Sequence, residues 1–185
     1  MKATPLSIPD VLLIEPSVFE DSRGFFFESF REDVFKKETS LNVSFVQDNH
    51  SKSSEGVLRG LHYQLPPYAQ GKLVRVIQGE VLDVAVDIRK SSLTYGQYVA
   101  EILSSDNKKQ LYIPEGFAHG FLTLSKTSEF LYKTTDFYHP ESECCILWND
   151  VTLNIKWPKD LNIQLSPKDL FGQSFKSSEL FVCKQ

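Results

Sequence analysis

The sequence has few sulfur-containing residues and no long apolar segment. Of its 185 residues only one is methionine and three are cysteine, at Cys144, Cys145 and Cys183. An odd number of cysteines without paired spacing argues against a disulfide framework and against a four-thiolate zinc site, so we expect reduced thiols. No stretch approaches the roughly 18 apolar residues of a membrane span, and Met1–Pro16 does not resemble a signal peptide. We therefore expect a cytoplasmic protein that has no membrane partner.

Positive charge is also scarce, because 20 Lys and Arg residues face 24 Asp and Glu residues, for a formal net charge of −4. Proteins that bind nucleic acids usually carry a basic surface, so this class is disfavoured. The hydrophobic fraction of 41% and the charged fraction of 24% are typical of a globular protein and exclude collagen, coiled coil and general disorder. A chain of this length predicts one domain over residues 1–185.

Aromatic residues are abundant at 12%, which favours strands over a helical bundle. From Val81 to Arg89, aliphatic side chains alternate with polar ones, which include Asp83 and Asp87. This period of two is that of a β-strand. Further strands are predicted, with turn residues between them, at Leu73–Gln78, Gln97–Leu103, Gln110–Ile113, Phe121–Leu124 and Glu129–Asp136. Many short strands separated by turns predict an all-β sandwich or barrel.

Two short helices are predicted outside the strand-rich region. The apolar residues of Phe30–Thr39 recur at helical spacing, with lysines on the opposite side. Near the end of the chain, Ser166 is a suitable N-cap, Pro167 suits the first helical position, and Asp169 places a carboxylate in the first turn.

Two of the four histidines lie in segments that resemble the two motifs of the cupin superfamily, whose members are small jelly-roll barrels. The first segment is Gly60–Gln64, and the second is the Pro-x-Gly-x-x-His pattern of Pro114–His119. Metal-binding cupins carry a second histidine and a glutamate where this chain has Gln64 and Lys72. A lysine ammonium is a cation that only donates hydrogen bonds, so it repels a divalent ion. The resemblance therefore implies a site without metal or cofactor, in which Lys72 stabilises negative charge on a substrate oxygen.

Longer segments resemble one cupin family, the dTDP-4-dehydrorhamnose 3,5-epimerases of dTDP-L-rhamnose biosynthesis. The resemblance covers roughly Ile8 to Pro158. It is carried by Asp21–Phe30, Phe45–Ser51, Val57–Gln64, Asp87–Ser92, Ile113–Phe121, Tyr132–Thr135, Tyr138 and Leu147–Asp150. It implies a cofactor-free isomerase that inverts carbons 3 and 5 of dTDP-4-dehydro-6-deoxy-D-glucose to give dTDP-4-dehydro-L-rhamnose.

The resemblance also implies catalytic roles for four residues. His62 is the base, Asp169 its carboxylate partner, Tyr132 the acid on the opposite face of the sugar ring, and Lys72 the cation at the enolate oxygen. Each residue also has an ordinary structural interpretation. Asp169 can simply complete a helix start, Tyr132 can be a packing residue, and Lys72 can lie on the surface like most lysines.

Substrate-binding residues follow from the same resemblance. A nucleotide sugar carries a diphosphate, which Arg and Lys bind well, and a base on which aromatic rings stack. Phe26 and Tyr138 match positions that enclose the thymine ring. The implied binding residues are Arg23, Phe26, Glu28, Gln47, Asp48, Asn49, Arg59, Lys72, His119, Tyr138, Glu143 and Lys168. The family further implies a homodimer in which Arg23, Phe26 and Glu28 serve the partner's site.

Four other interpretations are weighed against this one. A single-carbon epimerase or a 3,4-ketoisomerase acting on a related dTDP-4-keto sugar would share the fold and the nucleotide site. The pairing of His62 with Tyr132 argues against a ketoisomerase. A metal-dependent cupin oxygenase is disfavoured by Gln64 and Lys72. A non-catalytic sugar-binding module would have no use for a base, a lysine and an opposed tyrosine.

Overall fold

The computed structural model describes residues 1–181, and within that range the chain forms thirteen β-strands and two short α-helices. In chain order the strands are β1 (Lys2–Pro5), β2 (Leu12–Glu15), β3 (Phe19–Asp21), β4 (Gly24–Phe26), β5 (Gln47–Ser54), β6 (Leu58–Gln64), β7 (Lys72–Gln78), β8 (Glu80–Asp87), β9 (Tyr98–Ser104), β10 (Gln110–Ile113), β11 (Phe117–Thr123), β12 (Thr127–Thr134) and β13 (Glu143–Cys145). The helices are α1 (Glu32–Thr39) and α2 (Pro167–Leu170), and Pro140–Ser142 forms a single 3₁₀ turn.

The strands form two antiparallel sheets and a separate hairpin. The six-stranded sheet has the order β1-β2-β10-β7-β12-β5, and the five-stranded sheet has the order β13-β6-β11-β8-β9. Strands β3 and β4 pair only with each other. The two larger sheets pack face to face, because one buried cluster contains Val74 and Phe130 from the first sheet together with Ala85 and Phe121 from the second. This arrangement confirms the all-β sandwich predicted from the sequence.

Apolar side chains also cover the outer face of each sheet. Val84 and Val86 of β8 pack outward against the segment that follows β13, including Leu153 and Trp157. Helix α1 covers the outer face of the six-stranded sheet, where Phe35 is fully buried. Strand β8 is therefore enclosed on both sides, so its polar face is buried as well. A carboxylate in that position must be paired to be tolerated.

Both predicted helices form. Helix α1 starts two residues later than predicted, with acidic Glu32 and Asp33 in its first turn and lysines in its last, as the helix dipole favours. Helix α2 begins as predicted, because the Ser166 hydroxyl caps the backbone N–H of Asp169 at 3.2 Å and Pro167 occupies the first position.

The strand predictions were accurate where the apolar pattern was regular. Gln110–Ile113 forms β10 with the predicted limits, whereas β11 begins at Phe117 rather than at Phe121. Gly116, with φ of +83°, makes the turn immediately before this strand, so the second histidine motif lies on the strand itself. The almost wholly polar β5 was missed, since its pairing partner β12 rather than apolar alternation places it in the sheet.

Two further observations concern the cysteines and the possibility of a membrane-spanning helix. Cys144 and Cys145 are free thiols, while Cys183 lies outside the described residues. Among residues 1–181, no helix combines the length and the apolar character that a membrane crossing requires.

Candidate active site

His62 and Asp169 form a close pair although 106 other residues separate them along the chain. The His62 Nε2 atom lies 2.6 Å from Asp169 Oδ1. The two atoms are close, but their angle is not that of a hydrogen bond. The His62 side chain remains 26% exposed, whereas that of Asp169 is 4% exposed. The imidazole thus faces the open space and the carboxylate supports it from behind.

The Asp169 carboxylate is held by several donors. Oδ1 accepts the backbone N–H of Gly60 at 3.1 Å, and Oδ2 accepts the Ser166 hydroxyl at 2.6 Å. Burial acts to raise the pKa of Asp169, but the contacts with His62, Ser166 and Gly60 outweigh it and lower the pKa to about 2. Asp169 is therefore a permanent anion at neutral pH. It completes the start of α2 and also contacts His62, so its position is compatible with both sequence-based interpretations.

Lys72, at the first position of β7, is buried rather than on the surface. Its ammonium donates to the carbonyl oxygen of His62 at 3.4 Å. Burial lowers the pKa of Lys72 to about 8, while the charges of Glu143 and Asp83 act in the opposite direction. At neutral pH the group is still mainly a cation, and it contacts the backbone of His62.

A second histidine–carboxylate pair lies next to the first. His119 on β11 is directly opposite His62 on β6, and its Nε2 lies 2.9 Å from Asp83 Oδ2 on β8. Both side chains are buried. Burial lowers the pKa of His119, although Asp83 favours the charged form. Phe130 stacks near the His119 ring and on Phe121, at centroid distances of 6.1 and 4.1 Å, so apolar rings close this part of the space between the sheets.

Tyr132 comes from the opposite sheet. It lies on β12 directly across from Asn49 of β5, and its ring packs against the core between the sheets. Burial raises the pKa of Tyr132, as does the charge of Glu143, while Arg59 acts in the opposite direction. The phenol is therefore protonated at neutral pH and can donate a proton. Gln47, two residues before Asn49 and on the same face, donates to the Asn49 side-chain oxygen at 2.9 Å.

Glu143 contacts two of the predicted binding residues, and one of these contacts a third. Its carboxylate is ion-paired with Lys168 and accepts the Tyr138 hydroxyl at 2.6 Å. Burial acts to raise the pKa of Glu143, but these two contacts outweigh it and lower the pKa. The backbone N–H of Tyr138 in turn donates to the Gln47 side chain at 3.0 Å, which joins this group to β5.

Arg59 offers a cation that no carboxylate in residues 1–181 neutralises. Its Nε donates to the Ser53 hydroxyl at 3.1 Å, and one terminal nitrogen donates to the Lys52 carbonyl at 3.2 Å. Both acceptors are neutral, so the positive charge is available to an anionic ligand.

Four predicted binding residues are not brought to this group within the single chain. Arg23 and Phe26 lie on the exposed β3–β4 hairpin, where Arg23 pairs with Asp21 of the same hairpin at 2.5 Å. Glu28 pairs with Arg31 on the surface at 3.4 Å. Asp48 accepts Lys133 at 2.8 Å on the face of β5 opposite to Gln47 and Asn49. Of these four residues only Asp48 was expected in this chain's own site, because the resemblance assigns Arg23, Phe26 and Glu28 to the site of a partner chain.

Gln64 is structurally occupied and does not act as a substitute metal ligand. Its amide nitrogen donates to the carbonyls of Tyr68 at 2.6 Å and Phe137 at 3.1 Å, and its oxygen accepts the backbone N–H of His139 at 2.8 Å. With Lys72 at the other altered position, the residues do not fit the metal site of metal-binding cupins.

Sequence reasoning missed Asp83 and Ser166 as parts of the site region. Asp83 was seen only as a polar position of a mostly aliphatic strand, and Ser166 was predicted only as a helix cap. A separate cavity of about 220 Å³ lies on the outer face of the six-stranded sheet, where Asp48, Lys133 and Arg75 line it. Burial lowers the pKa of Arg75, and its guanidinium lies 5.3 Å from the centre of the Phe27 ring. The sequence does not indicate this contact, because it forms only when the segment that contains Phe27 folds over the sheet.

Taken together, the fold and the site define a jelly-roll protein with a cluster of acid–base groups. His62, which is paired with Asp169 of α2, and Tyr132 belong to facing sheets, and the buried ammonium of Lys72 contacts the His62 backbone. No residue in this group requires a metal or an organic cofactor to perform acid–base chemistry.

Comparison with known proteins identifies the family. The dTDP-4-dehydrorhamnose 3,5-epimerase family matches residues 5–177. The dTDP-4-dehydrorhamnose 3,5-epimerase of Shigella flexneri is 59% identical over 98% of this chain and 100% of its own length. The crystal structure of the dTDP-6-deoxy-D-glucose-3,5-epimerase of Legionella pneumophila in complex with dTDP-4-keto-L-rhamnose is 48% identical. It superimposes with a TM-score of 0.95 and covers 100% of this chain and 99% of that one.

A more distant structure comes from Streptomyces bikiniensis. It is a 3'-monoepimerase in complex with dTDP-quinovose, 30% identical, with a TM-score of 0.91 over 98% of this chain and 93% of that one. This chain belongs to the dTDP-4-dehydrorhamnose 3,5-epimerase family. The family, the isomerase class and the cupin-type jelly roll predicted from the sequence are thereby confirmed.

Proposed function

We propose that this protein epimerises carbons 3 and 5 of dTDP-4-dehydro-6-deoxy-D-glucose to give dTDP-4-dehydro-L-rhamnose. A C–H bond next to a ketone is acidic only because the carbanion delocalises into an enolate. Inversion therefore needs a base on one face of the ring, an acid on the other, and a cation at the enolate oxygen. The observation that carries the proposal is that His62 and Tyr132 belong to sheets that face each other, so a sugar between the sheets meets one on each side.

His62 is the base in this mechanism. Its Nε2 faces Asp169, which leaves Nδ1 as the nitrogen that takes the proton. The fixed anion of Asp169 stabilises the imidazolium that forms and orients the ring. Asp169 acts through His62 and is thus a positioning residue.

Lys72 stabilises the enolate. Its ammonium has one protein acceptor within the described part of the chain, the carbonyl of His62, and so has N–H groups left for a substrate oxygen. The group is buried, and a preformed cation in a dry site stabilises developing negative charge more strongly than one in water. His119, held by Asp83, adds a donor from the same wall of the site.

Tyr132 returns the proton from the opposite face. Its raised pKa keeps the hydroxyl protonated, and its packing against the core fixes the ring in one orientation. Glu143 and Arg59 lie near enough to influence its pKa, so charges of both signs are available around the proton donor.

The nucleotide part of the substrate is bound by the polar and aromatic residues around this centre. Arg59 and Lys168 meet the diphosphate, while Phe26 and Tyr138 enclose the thymine ring. We propose a homodimer, in which Arg23, Phe26 and Glu28 of one chain complete the site of the other. Their exposure away from the single-chain site supports this arrangement, since 68% of Phe26 is exposed. We further propose that residues 1–185 form one domain and that the enzyme acts in the cytoplasm.

A single-carbon epimerase is the second candidate, and the structural similarity to a 3'-monoepimerase favours it. That protein is 30% identical, whereas the Shigella flexneri 3,5-epimerase is 59% identical. Inversion of both carbons is therefore the better supported activity.

The test is incubation with dTDP-4-dehydro-6-deoxy-D-glucose in deuterated water, followed by proton NMR of the product. We expect loss of the proton signals at both carbons 3 and 5, together with the coupling pattern of the L-sugar. Exchange and inversion at carbon 3 alone would establish the single-carbon reaction instead. Migration of the ketone from carbon 4 to carbon 3 would establish a ketoisomerase.

A further inference from the structure

Cys145 lies beside the His62–Asp169 pair, and the mechanism does not use it. The register of β13 on β6 places Cys145 directly opposite His62. One ligand atom from each of Cys145, His62 and Asp169 lies within 4.8 Å of the others. Among the described residues this is the one group of three histidine, cysteine or acidic side chains compact enough to hold a metal ion.

The three side chains are those that zinc prefers. Thiolate, imidazole and carboxylate bind Zn²⁺ at about 2.3, 2.0 and 2.1 Å, which in a tetrahedral site sets the ligand atoms about 3.3–3.6 Å apart. The ligand atoms of the three residues now lie at most 4.8 Å apart. Their separations differ from the tetrahedral range by about an ångström, a change that side-chain rotation can supply.

We propose that Cys145, His62 and Asp169 bind one thiophilic divalent cation, Zn²⁺ in particular, and that the bound ion inhibits the enzyme. This ion would lie at the catalytic pair of His62 and Asp169.

Several groups around the three residues favour such an ion, although the buried ammonium of Lys72, which donates to the His62 carbonyl oxygen, opposes it. Ser166 and the Gly60 N–H already hold the carboxylate of Asp169, as outer contacts hold metal ligands elsewhere. The nearest cation on α2, Lys168, is ion-paired with Glu143, which reduces its repulsion of a metal. A thiolate and a carboxylate would together neutralise the two charges of the ion, with the thiol proton released to the buffer.

Inhibition follows from the base chemistry and rests on the proposed function. An imidazole that binds a metal through one nitrogen carries its proton on the other, so His62 would have no lone pair left to accept a proton from the sugar. The ion would also hold Asp169 away from the imidazole.

The test uses metal-free enzyme titrated with Cd²⁺ and with Zn²⁺. The first readout is the ultraviolet charge-transfer band of a cadmium–thiolate bond, which does not depend on activity. The second is the Zn²⁺ concentration that halves the rate of deuterium exchange. Cys145→Ser is the test variant. Cys144→Ser, one residue earlier on the same strand, is the matched control, and Cys145→Ala is a second variant should Cys145→Ser fold poorly.

We expect a band that saturates at one Cd²⁺ per chain, is lost in both Cys145 variants and remains in Cys144→Ser. Loss of an outer contact to a metal ligand typically costs about 10–100-fold in affinity, so loss of a direct ligand should raise the half-inhibitory Zn²⁺ concentration at least about tenfold. Absence of the band in the unmodified enzyme, or its persistence in the Cys145 variants, would overturn the proposal. A band that depends on Cys145 without inhibition would show that the ion does not engage His62 and would overturn the proposed three-residue site, while leaving the epimerase activity itself intact.

Discussion

Replacing Asp169 with Asn tests the central pair of the site. The substitution keeps the shape of the side chain, and its carbonyl oxygen can still accept the backbone N–H of Gly60. What it removes is the negative charge that lies 2.6 Å from the His62 ring nitrogen. Because Asp169 lies behind His62, we expect little change in KM and a large decrease in kcat.

The magnitude follows from the electrostatics of the pair. With the nearest atoms in contact, the centres of charge of an imidazolium and a carboxylate are about 4 Å apart. At an effective dielectric constant of about 20, two unit charges at that separation interact by about 4 kcal/mol. This interaction is made only when the imidazole has gained its proton, so its loss raises the barrier by a similar amount. We expect kcat to decrease about 10³-fold.

The assay is the rate of deuterium incorporation at carbons 3 and 5 at saturating substrate. Ser166→Ala is the matched control, because it removes one hydrogen bond from the same carboxylate and leaves the charge in place. This control should lose no more than about tenfold. If Asp169→Asn retains more than a tenth of the normal exchange rate, the charge of Asp169 does not support the base and the argument is refuted.

The lowered pKa of Asp169 also predicts how the free energy of unfolding depends on pH in acid. Its pKa is lowered from 3.8 to about 2 in the folded protein, so its contribution is fully present above pH 3.8 and is lost as the pH falls through 2. A lowering of the pKa by this amount corresponds to roughly 2–3 kcal/mol. Chemical denaturation between pH 5 and pH 2 should show that Asp169→Asn has lost a component of this size from its pH dependence. Parallel curves for the two proteins would contradict the expectation.

Four further outcomes follow from the site. His62→Ala should reduce exchange at both carbons at least about 10²–10⁴-fold with nearly unchanged affinity for dTDP, and exchange at the normal rate would assign the base elsewhere. Tyr132→Phe should still exchange deuterium but mostly with retained configuration, because His62 returns the proton to the face it came from; efficient inversion would make Tyr132 a packing residue. The rate should fall as the pH rises through about 8, where Lys72 loses its charge. The variant Lys72→Met has no such charge, so its rate should lack this decrease at high pH and be about 10²–10³-fold lower at every pH. Treatment with EDTA should leave kcat undiminished, whereas a loss that one divalent ion restores would contradict a metal-free mechanism.

Local sequence patterns determined several elements of this protein directly. The alternation around Val84 and Val86 specifies a strand because successive side chains point to opposite faces. The Ser166-Pro167 start of α2 is equally local, since a cap and a fixed φ act within one turn. The two histidine motifs indicated the cupin superfamily, and the longer matching segments indicated the family, because they cover most of the chain.

The strand β5 shows where local patterns end. Its residues are nearly all polar, and it becomes a strand only because the backbone of β12 offers a full ladder of hydrogen bonds along its length. Such pairing joins segments some 80 residues apart and leaves no periodic signal in β5 itself.

The composition of the catalytic site was decided by tertiary structure. Whether Asp169 merely begins a helix or also supports His62 depends on where α2 packs. The sequence between His62 and Asp169 does not indicate that position. The burial of Lys72 and the pairing of Asp83 with His119 likewise arise from two sheets closing over each other. The charge state of a side chain depends on its distance from water and from other charges, and those distances are set only when distant segments come together.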